Sequence, residues 1–564
     1  MLKKVLKQQP FLARQVRLAK RKKRSILDRP HWEEFVNSEA ITWNDILTQA
    51  KTGELILIPT SVGGDIHLIS IESLLAAALT LRGAQVHFLL CDGILPACFW
   101  CDATFYPKQE YFAKTGPQKD LCNLCYPFAQ EVLQPLGLTI HRYSDFLTEL
   151  DYQEAAKLAN SLSREEIPQY TQSEIKVGEH ALAGALRFYA SASLEDESQG
   201  EEIVRRYFQA ALLTTLVTQR LLKTHNYHCA VFNHGIYVPQ GLIGEVARQQ
   251  GVRIVNWNPA YRKQCFIFTH HDTYHHQLMW ENVTNWENIP WNKQLEQQLL
   301  DYLKSRWVGS NDWIWFHENP QFDLRAIANE IGVDFTLPCI GLLTNVMWDA
   351  QLHYPANAFK SLLDWVLTTI EYFRKRQDLQ LLIRVHPAEI RGTLPSRQPI
   401  VAEIAKAIPN LPPNVFIIPP ESQVSTYAAM LACRAVLIYG TKMGVELTSM
   451  GIPVIVAGEA WIRNKQITQD ATSIEEYISY LDQLPLLEGL SDDNLIRARK
   501  YAYHFFFRRM IPLELTTQAQ NVSEFKLKPD LKIADLLPGN SRGLDLICDG
   551  ILQGSEFIYP AELE

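Results

Sequence analysis

The sequence has no long hydrophobic run. Nowhere in its 564 residues do about 18 apolar residues follow one another without a charge, so it predicts no segment that spans a bilayer. The apolar core of a secretory signal is missing too, because Lys7, Arg14 and Arg17 interrupt the stretch after the basic start at 1–4. We therefore expect the protein to remain in the cytoplasm. The length predicts two or three domains, and the apolar fraction of 47% is that of a globular protein.

Acidic residues are absent from the start of the chain. None precedes Asp28, whereas basic residues recur there and form the run 20–24, with apolar residues at near-helical spacing between them. This pattern predicts a basic amphipathic arm over 1–30. Such an arm can lie on an anionic membrane surface through 1–24, which would make the protein peripheral at the inner face of the membrane; the alternative is a solvated, frayed terminus. The rest of the chain is acidic, with a net charge of −8 overall, so nucleic acid is a poor candidate partner.

Ten cysteines in a cytoplasmic chain are expected to be unpaired. Five lie close together: Cys91, Cys98, Cys101, Cys122 and Cys125. The last four form Cys-x2-Cys, a spacer of 20 residues and a second Cys-x2-Cys, which is the spacing of a four-thiolate zinc site. With all four positions filled by protein the zinc would be structural. An iron–sulfur cluster uses the same ligands, and a coincidence of buried apolar cysteines is the remaining alternative.

Short apolar runs alternate with longer amphipathic ones, which predicts β-strands alternating with α-helices and therefore parallel sheets. Strands are predicted at 55–59, 85–91, 228–232, 253–257, 338–343, 381–385, 414–418, 435–439 and 453–457. The fold class is α/β, with two Rossmann-like doubly wound domains. In order, we predict the arm (1–30), a first domain (50–275) with a cysteine knuckle inserted at 91–125, a linker or hinge (276–335), a second domain (336–525) and a loop-rich tail (526–564).

Polar residues follow two predicted strands of the second domain. His386 ends the strand at 381–385, and Pro387 turns the chain out of it. Ligands of open α/β sheets bind at the carboxyl ends of the strands. An imidazole in this place can donate to a phosphate oxygen.

The strand at 435–439 ends in a glycine turn that leads into a helix. Free backbone amides and a hydroxyl there can bind an anion, and an acidic residue one turn into the helix can accept hydrogen bonds from ribose hydroxyls. The residues concerned are Gly440, Thr441, Lys442, Gly444 and Glu446. Together with His386 and Pro387 they form a candidate nucleotide site.

A catalytic base is expected from the first domain, across a cleft. Asp65 and His67 follow the first glycine turn, and His234 ends the strand at 228–232. Asp65 is the first choice, and its alternative role is to cap the following helix. The histidine-rich stretch 269–276 is expected to be an exposed loop without a metal.

Several motifs resemble those of bacterial capsule and surface-polysaccharide biosynthesis glycosyltransferases. They are Arg-Val-His-Pro-Ala-Glu (384–389), Val-Ser-Thr-Tyr (424–427), Tyr-Gly-Thr-x-x-Gly-x-Glu (439–446) and the glycine-bounded run 451–458, with looser matches at 63–65, 82–86 and 91–93. The resemblance implies the GT-B fold, in which two Rossmann-like domains face each other across a cleft. In this sequence Thr441-Lys442 stands where that family usually has a Ser-Thr or Ser-Ser pair.

The resemblance implies a metal-independent glycosyltransferase. It would move a sugar from a nucleotide-activated donor to a surface or capsular polysaccharide or a glycolipid acceptor, with His386, Pro387, Gly440 and Thr441 at the nucleotide phosphate. The first domain would hold the acceptor and the second the donor. Two alternatives remain: a sugar-nucleotide epimerase of the same architecture, and a non-catalytic scaffold of a polysaccharide assembly complex.

Overall fold

Two sheets organise the chain in the computed structural model, which describes residues 10–38, 40–309, 311–313, 319–350, 352, 355–518 and 525–564. The strands are β1 (Leu55–Ser61), β2 (Gln85–Leu90), β3 (Thr139–Arg142), β4 (Cys229–Asn233), β5 (Arg253–Pro259), β6 (Cys265–His270), β7 (Cys339–Leu343), β8 (Gln380–Arg384), β9 (Val415–Ile418), β10 (Ala435–Ile438), β11 (Val454–Val456), β12 (Gln469–Asp470), β13 (Ile511–Pro512), β14 (Thr516–Gln518) and β15 (Phe525–Leu527).

Helices cover both sheets. The α-helices are α1 (Pro10–Asp28), α2 (Trp32–Ser38), α3 (Ala40–Ala50), α4 (Ile66–Leu81), α5 (Gln109–Thr115), α6 (Cys122–Leu133), α7 (Glu149–Ser161), α8 (Val177–Tyr189), α9 (Gly200–Thr224), α10 (Gln240–Gln249), α11 (Tyr274–Met279), α12 (Lys293–Trp307), α13 (Leu324–Ile331), α14 (Leu362–Arg374), α15 (Ala388–Arg391), α16 (Ile400–Ala407), α17 (Thr426–Leu431), α18 (Met443–Ser449), α19 (Ile474–Leu481), α20 (Asp492–Tyr503), α21 (Ile533–Leu536) and α22 (Arg542–Gln553). Short 3-10 turns lie at Gln134–Leu136, Tyr143–Phe146, Ile167–Gln169, Val283–Asn285 and Ala561–Leu563, and a π-helical turn at His504–Arg508.

The two sheets share one strand order. The first runs β3-β2-β1-β4-β5-β6-β13 and the second β9-β8-β7-β10-β11-β12. All neighbours in the second sheet are parallel, and in the first sheet β6 pairs antiparallel with both β5 and β13 while the other pairs are parallel. This is the order 3-2-1-4-5-6 of doubly wound folds, whose switch point lies between the first and fourth strands. The predicted α/β fold with parallel sheets is confirmed.

Buried apolar runs explain why the sequence predicted most strands well. β1, β8 and β10 are buried over nearly their whole length, as strands covered by helices on both faces must be. Their observed ends differ from the predicted ones by one or two residues. The strands β3, β6, β12, β13, β14 and β15 were not predicted.

The histidine-rich stretch is not the exposed loop that we expected. Its first residues complete β6, where His270 is 9% exposed, and Tyr274–Met279 forms α11. The β6 strand pairs antiparallel with β5, so Val255 lies opposite His270. Cross-strand pairing and packing therefore outweigh the polar composition of this stretch.

The C-terminal tail is also different from the prediction. Instead of a loop-rich end, 526–564 contains α21 and α22, and both pack on the first half against α4. Arg82 of that half forms an ion pair with Asp545 at 2.5 Å. Residues 511–512, which fall within the predicted bounds of the second domain, form β13 and pair with β6 of the first sheet.

The N-terminal arm is helical over the described Pro10–Asp28, but two of its arginines face the protein itself. Arg14 lies 3.5 Å from Asp120, and Arg21 lies 3.3 Å from Asp102 and over the Trp100 ring. Residues 1–9 of the predicted arm lie outside the described part of the chain. Within that part, no helix combines the length and the apolar character needed to cross a membrane.

Candidate functional site

A cleft of about 1490 Å³ separates the two halves, at the carboxyl ends of their parallel strands. The first half lines it with residues that follow β1 and β4, and the second half with residues that follow β7 and β8. They include Asp65, His67, His234, Tyr237, Val346, Asp349, Ala388 and Arg391, and Arg187 of α8 lines the cleft as well. The cleft therefore lies where ligands bind in doubly wound sheets.

Asp65 ends the glycine turn after β1 and caps α4. Its Oδ1 accepts hydrogen bonds from the backbone N–H groups of His67 and Leu68 at 3.0 and 3.3 Å. Burial would raise the pKa of Asp65, but these bonds and the nearby His67 imidazole outweigh it and lower the pKa to about 2. A carboxylate with so low a pKa is a weak base, so the capping role fits Asp65 better than catalysis.

His67 lines the same wall of the cleft. Its Nδ1 lies 3.6 Å from Asp65 Oδ1, and its ring packs 4.9 Å from that of Phe525. The phenylalanine belongs to the C-terminal strand β15. The chain end therefore contributes to this wall, which no local pattern predicted.

His234 follows β4, on the other side of the switch point from Asp65. It has a left-handed backbone with a φ of 63°, and Gly235 after it has a φ of 76°. Its Nδ1 is buried and has no hydrogen-bond partner among the described residues. Burial lowers the pKa of His234 to about 4. The negative charge of Asp349 opposes this shift but offsets only part of it. The structure therefore presents a neutral imidazole with an unsatisfied nitrogen, in a strained turn of the kind found at functional sites.

Glu72 lies in α4 beneath the floor of the cleft and is 1% exposed. Its Oε1 accepts hydrogen bonds from Asn233 N–H at 3.2 Å and from Trp257 Nε1 at 3.1 Å. Burial raises the pKa of Glu72 to about 7 in spite of these bonds. Sequence reasoning missed it, because a single carboxylate within a helix gives no signal of its burial.

Tyr237 and Asp349 join the two halves across the cleft. The Tyr237 hydroxyl donates to Asp349 Oδ1 at 2.7 Å and accepts from the N–H of Ala350 at 2.9 Å. Arg187 lies over the Tyr237 ring, 5.3 Å from its centroid. These three side chains were not predicted either, because only tertiary structure brings α8, β4 and the segment after β7 together.

In the second half, His386 and Gly440 lie at the same edge of the sheet. Thr344 Oγ1 accepts from the N–H of His386 at 3.1 Å, and Asn345 Oδ1 accepts from the N–H of Gly440 at 3.3 Å. The strands β8 and β10 flank β7, so the two segments are two strand spacings, or about 10 Å, apart. The structure thus places them on either side of Thr344-Asn345 rather than in contact. The cleft lining reaches Ala388, two residues after His386.

The imidazole of His386 is oriented by its own turn. Nδ1 accepts a hydrogen bond from the N–H of Ala388 at 3.1 Å, which assigns the ring proton to Nε2. Pro387 is buried and precedes α15. A partly exposed imidazole of this tautomer can donate a hydrogen bond to an anion.

The glycine turn after β10 is less open than the sequence predicts. The Gly440 amide is already bonded to Asn345, and Thr441 Oγ1 accepts from the Met443 amide at 3.4 Å. Gly444 is buried, and a Cβ atom there would lie 2.6 Å from Ile438 Cδ1. Gly444 thus serves helix packing rather than ligand contact.

Glu446 does not lie where a ribose could reach it. It is 0% exposed and forms hydrogen bonds with Arg306 at 3.0 Å, Tyr427 at 2.6 Å and Lys442 at 3.0 Å. Burial opposes its charge, but Arg306 and Lys442 outweigh burial and lower its pKa to about 2. The predicted ligand role of Glu446 is corrected to a buried ion-pair network that also holds Lys442.

The cysteine segment forms one wall of a small cavity beside the first glycine turn. Cys91 and three of the four predicted ligands, Cys98, Cys122 and Cys125, line it. Cys98 and Cys101 have their sulfur atoms 3.8 Å apart, and the Gly64 amide donates to Cys125 Sγ at 3.1 Å. Cys98 and Cys101 thus form a close pair of thiols. The four sulfur atoms do not form a group in which every sulfur–sulfur distance is within 4.8 Å. All ten cysteines are free thiols.

No family model and no curated protein matches the sequence. Among solved structures, the chain is similar to the beta Kdo 2,4 transferase KpsC of Thermosulfurimonas dismutans, with 12% identity over 49% of this chain and 79% of that chain and a TM-score of 0.32. The beta Kdo 2,7 transferase KpsC of the same organism has 11% identity, coverage of 57% and 88%, and a TM-score of 0.30. The UDP-GlcNAc 2-epimerase of Neisseria meningitidis, bound to UDP-GlcNAc, has 13% identity, coverage of 62% and 92%, and a TM-score of 0.24. Similarity at this level assigns no family.

Proposed function

We propose that the protein is a GT-B-type glycosyltransferase that needs no catalytic metal. It moves a sugar from a nucleotide-activated donor to a surface or capsular polysaccharide or a glycolipid acceptor. One observation carries the proposal: the switch points of two doubly wound sheets face one cleft, and the imidazole of His234 lines that cleft at one of them. Such a cleft can hold a donor on one side and an acceptor hydroxyl on the other.

His234 is the general base in this proposal. A base must be unprotonated and must face the acceptor hydroxyl; burial favours the neutral imidazole of His234, and this side chain lines the cleft. Asp65 and His67 shape the wall beside it, and their interactions favour a structural role over proton transfer. This choice reverses the order in which sequence reasoning ranked the candidates.

The nucleotide phosphate binds at the carboxyl ends of β8, β7 and β10. His386 donates from Nε2, and Asn345 and Thr441 supply polar atoms on the other side, with Gly440 keeping the backbone close. Negative charge develops on the leaving phosphate during transfer, so donors placed there in advance stabilise the transition state. Arg187 and Arg391 line the cleft from opposite halves and add positive charge.

Nucleotide-induced stabilisation tests the proposed function. Cytidine or uridine nucleotides at about 100 times their Kd should stabilise the protein by about 2.7 kcal/mol, seen as a rise in Tm. His386→Ala and Thr441→Ala should abolish the rise without lowering the Tm of the free protein. With a panel of nucleotide sugars, His234→Ala should keep the rise but slow acceptor-dependent release of nucleotide by about 10² to 10⁴-fold.

The matched control is His31→Ala, which removes an exposed histidine of the first half. Three outcomes would change the conclusion. No rise in Tm with any nucleotide would favour the scaffold alternative. Conversion of the nucleotide sugar to its epimer without an acceptor would favour the epimerase alternative. Unchanged transfer in His234→Ala would remove that residue from the mechanism.

A structural zinc ion held by Cys98, Cys101, Cys122 and Cys125 is a second part of the proposal. Zinc–sulfur bonds of about 2.3 Å in a tetrahedron place neighbouring sulfurs about 3.8 Å apart, the separation of Cys98 and Cys101. Elemental analysis should find less zinc per chain in Cys98→Ser than in the parent chain, and no such decrease in Cys229→Ser, which changes a buried cysteine elsewhere. Iron in place of zinc would indicate a cluster, and equal metal in both variants would refute the site.

A further inference from the structure

We propose that His87, His141 and His225 form a binding site for a divalent transition-metal ion such as Zn²⁺, separate from the cleft and from the cysteine segment. One ligand atom from each of the three side chains lies within 4.8 Å of the other two. No other group of three or more histidine, cysteine or acidic side chains within the described residues meets this condition. Neutral imidazoles are preferred ligands of zinc, copper and nickel.

Three different elements bring the histidines together. His87 on β2 pairs with Thr139 on β3, two residues before His141, so both imidazoles project from the same face of the sheet. His225 follows the last residue of α9, which packs over that face. The ring centroids are 4.9 Å apart for His141 and His225, 5.0 Å for His87 and His141, and 5.6 Å for His87 and His225.

The distances between nitrogen atoms suit a shared ion. His141 Nε2 lies 3.1 Å from His87 Nδ1. Two ligands bound tetrahedrally at 2.0–2.1 Å lie about 3.3 Å apart, so only a small movement would place a metal between these atoms. His141 and His225 are partly exposed, which leaves a path for the ion from solvent.

Hydrogen bonds alone do not satisfy all of the ring nitrogens of the three histidines. His87 Nδ1 has two neighbours at 3.1 Å, His141 Nε2 and the Tyr227 hydroxyl, but a ring nitrogen offers only one proton or one lone pair. A cation would accept the lone pairs of all three rings. Rotation of the Gln85 amide, whose Nε2 is 3.2 Å from His87 Nε2, would let its oxygen accept the ring proton and direct Nδ1 to the metal.

The position indicates a stabilising rather than a catalytic ion. His87 pairs with Leu57 of β1, four residues before Ser61, so the cluster lies about 13 Å along the strands from their carboxyl ends. A metal there would join the edge strand β3 to β2 and to the end of α9. It would stabilise the first half without contacting the cleft.

Cobalt titration of the metal-stripped full-length chain tests the site. Co²⁺ bound at the histidine site should produce visible d–d bands. The near-ultraviolet sulfur-to-cobalt band does not arise from this site and reports the cysteine segment separately. His141→Ala and His225→Ala should each lose these bands. Each should also weaken Zn²⁺ affinity by more than about 10-fold, which is the cost of losing a side chain that only hydrogen-bonds to a metal ligand. His31→Ala should behave like the parent chain.

Loss of the histidine site in a variant can be distinguished from loss of its fold. His141 and His225 are partly exposed, and circular dichroism together with the retained sulfur-to-cobalt band of the cysteine segment should show that both variants are folded. Equal nitrogen-type cobalt binding in the parent and in both variants would overturn the proposal. So would a parent chain that gives no such bands.

Discussion

At the scale of single residues, the cleft has at its walls ionisable side chains whose burial disfavours their charged forms. His234 is held neutral in a strained turn, and Glu72 is a carboxyl group with little contact with solvent. Buried ionisable groups with shifted pKa values are common at functional sites, although structural networks shift them too. Glu72 touches Asn233 and Trp257 behind the cleft wall, so it positions that wall rather than contacting a ligand.

The pKa of Glu72 predicts a pH-dependent stability. Burial raises the pKa from its ordinary 4.5 to about 7, so the folded state keeps a proton that the unfolded state loses across this window. The free energy of unfolding should therefore be greatest below about pH 4.5 and should fall, by on the order of 3 kcal/mol, as the pH rises through about 7. Glu72→Gln should remove this slope, measured by urea unfolding between about pH 5 and about pH 8.

Glu33→Gln, at an exposed position, is the control and should keep the slope of the parent chain. The glutamine variant should also be the more stable protein at the alkaline end, because it has no buried charge there. A slope equal to that of the parent would mean that Glu72 is ionised in the folded protein throughout the window.

At the scale of elements, the linker region is held to the second half by a buried ion-pair network. Arg306 near the end of α12 lies between Asp312 and Glu446 of α18, and all three side chains are at most 5% exposed. Trp307 adds a stacked contact, 5.8 Å from the Tyr427 ring. The region predicted as a hinge therefore includes a helix fixed to the second sheet.

This network predicts a stability effect for Glu446. Glu446→Leu should destabilise the protein by about 3–5 kcal/mol in denaturant unfolding, because Arg306 would remain buried with one partner fewer. The double variant Glu446→Leu, Arg306→Met should recover part of the loss, since it removes both charges. Glu475→Leu, at an exposed glutamate, is the control and should change little.

A different result would restore the role that the sequence suggested. If Glu446→Leu kept its stability but lost nucleotide binding, the carboxylate would have to contact the ribose. The buried contacts with Arg306, Tyr427 and Lys442 lead us to expect the opposite.

At the scale of the whole molecule, the chain end returns to the first half. After α20, the strand β13 extends the first sheet beside β6, and α22 packs on α4. Leu544, Ile547 and Ile551 on α22 are fully buried. The first half thus needs residues from both ends of the sequence to complete its core.

Ile547→Ala tests this dependence. Removal of a buried isoleucine side chain should cost about 2–5 kcal/mol, and hydrogen exchange should show the loss in β4 and α4 of the first half. Asp549→Ala, on the exposed face of the same helix, should change stability by less than about 0.5 kcal/mol. Loss of protection confined to the tail itself would show that the two parts unfold independently.

The sequence by itself determined the strands and the polar residues that follow them. Runs such as 381–385 and 435–439 are apolar throughout because both faces of a parallel sheet are covered, and this pattern is local. Asp65, His234 and His386 were found for the same reason, since each lies in the turn that follows such a run. The β3 strand was missed because it is short and half exposed, and β6 because its last two residues, Thr269 and His270, belong to the histidine-rich stretch that was expected to be a loop.

Only the tertiary structure decided which of these residues share a surface and which are enclosed. Glu446 has the chemistry of a ligand residue, but Arg306, 140 residues away in the chain, holds it in a buried ion pair, and Lys442 pairs with the same carboxylate. The histidine cluster and the Tyr237–Asp349 contact likewise join residues distant in sequence. Hydrophobic periodicity records burial within one element, whereas partners across elements follow from how strands are ordered and packed, and that information is not local.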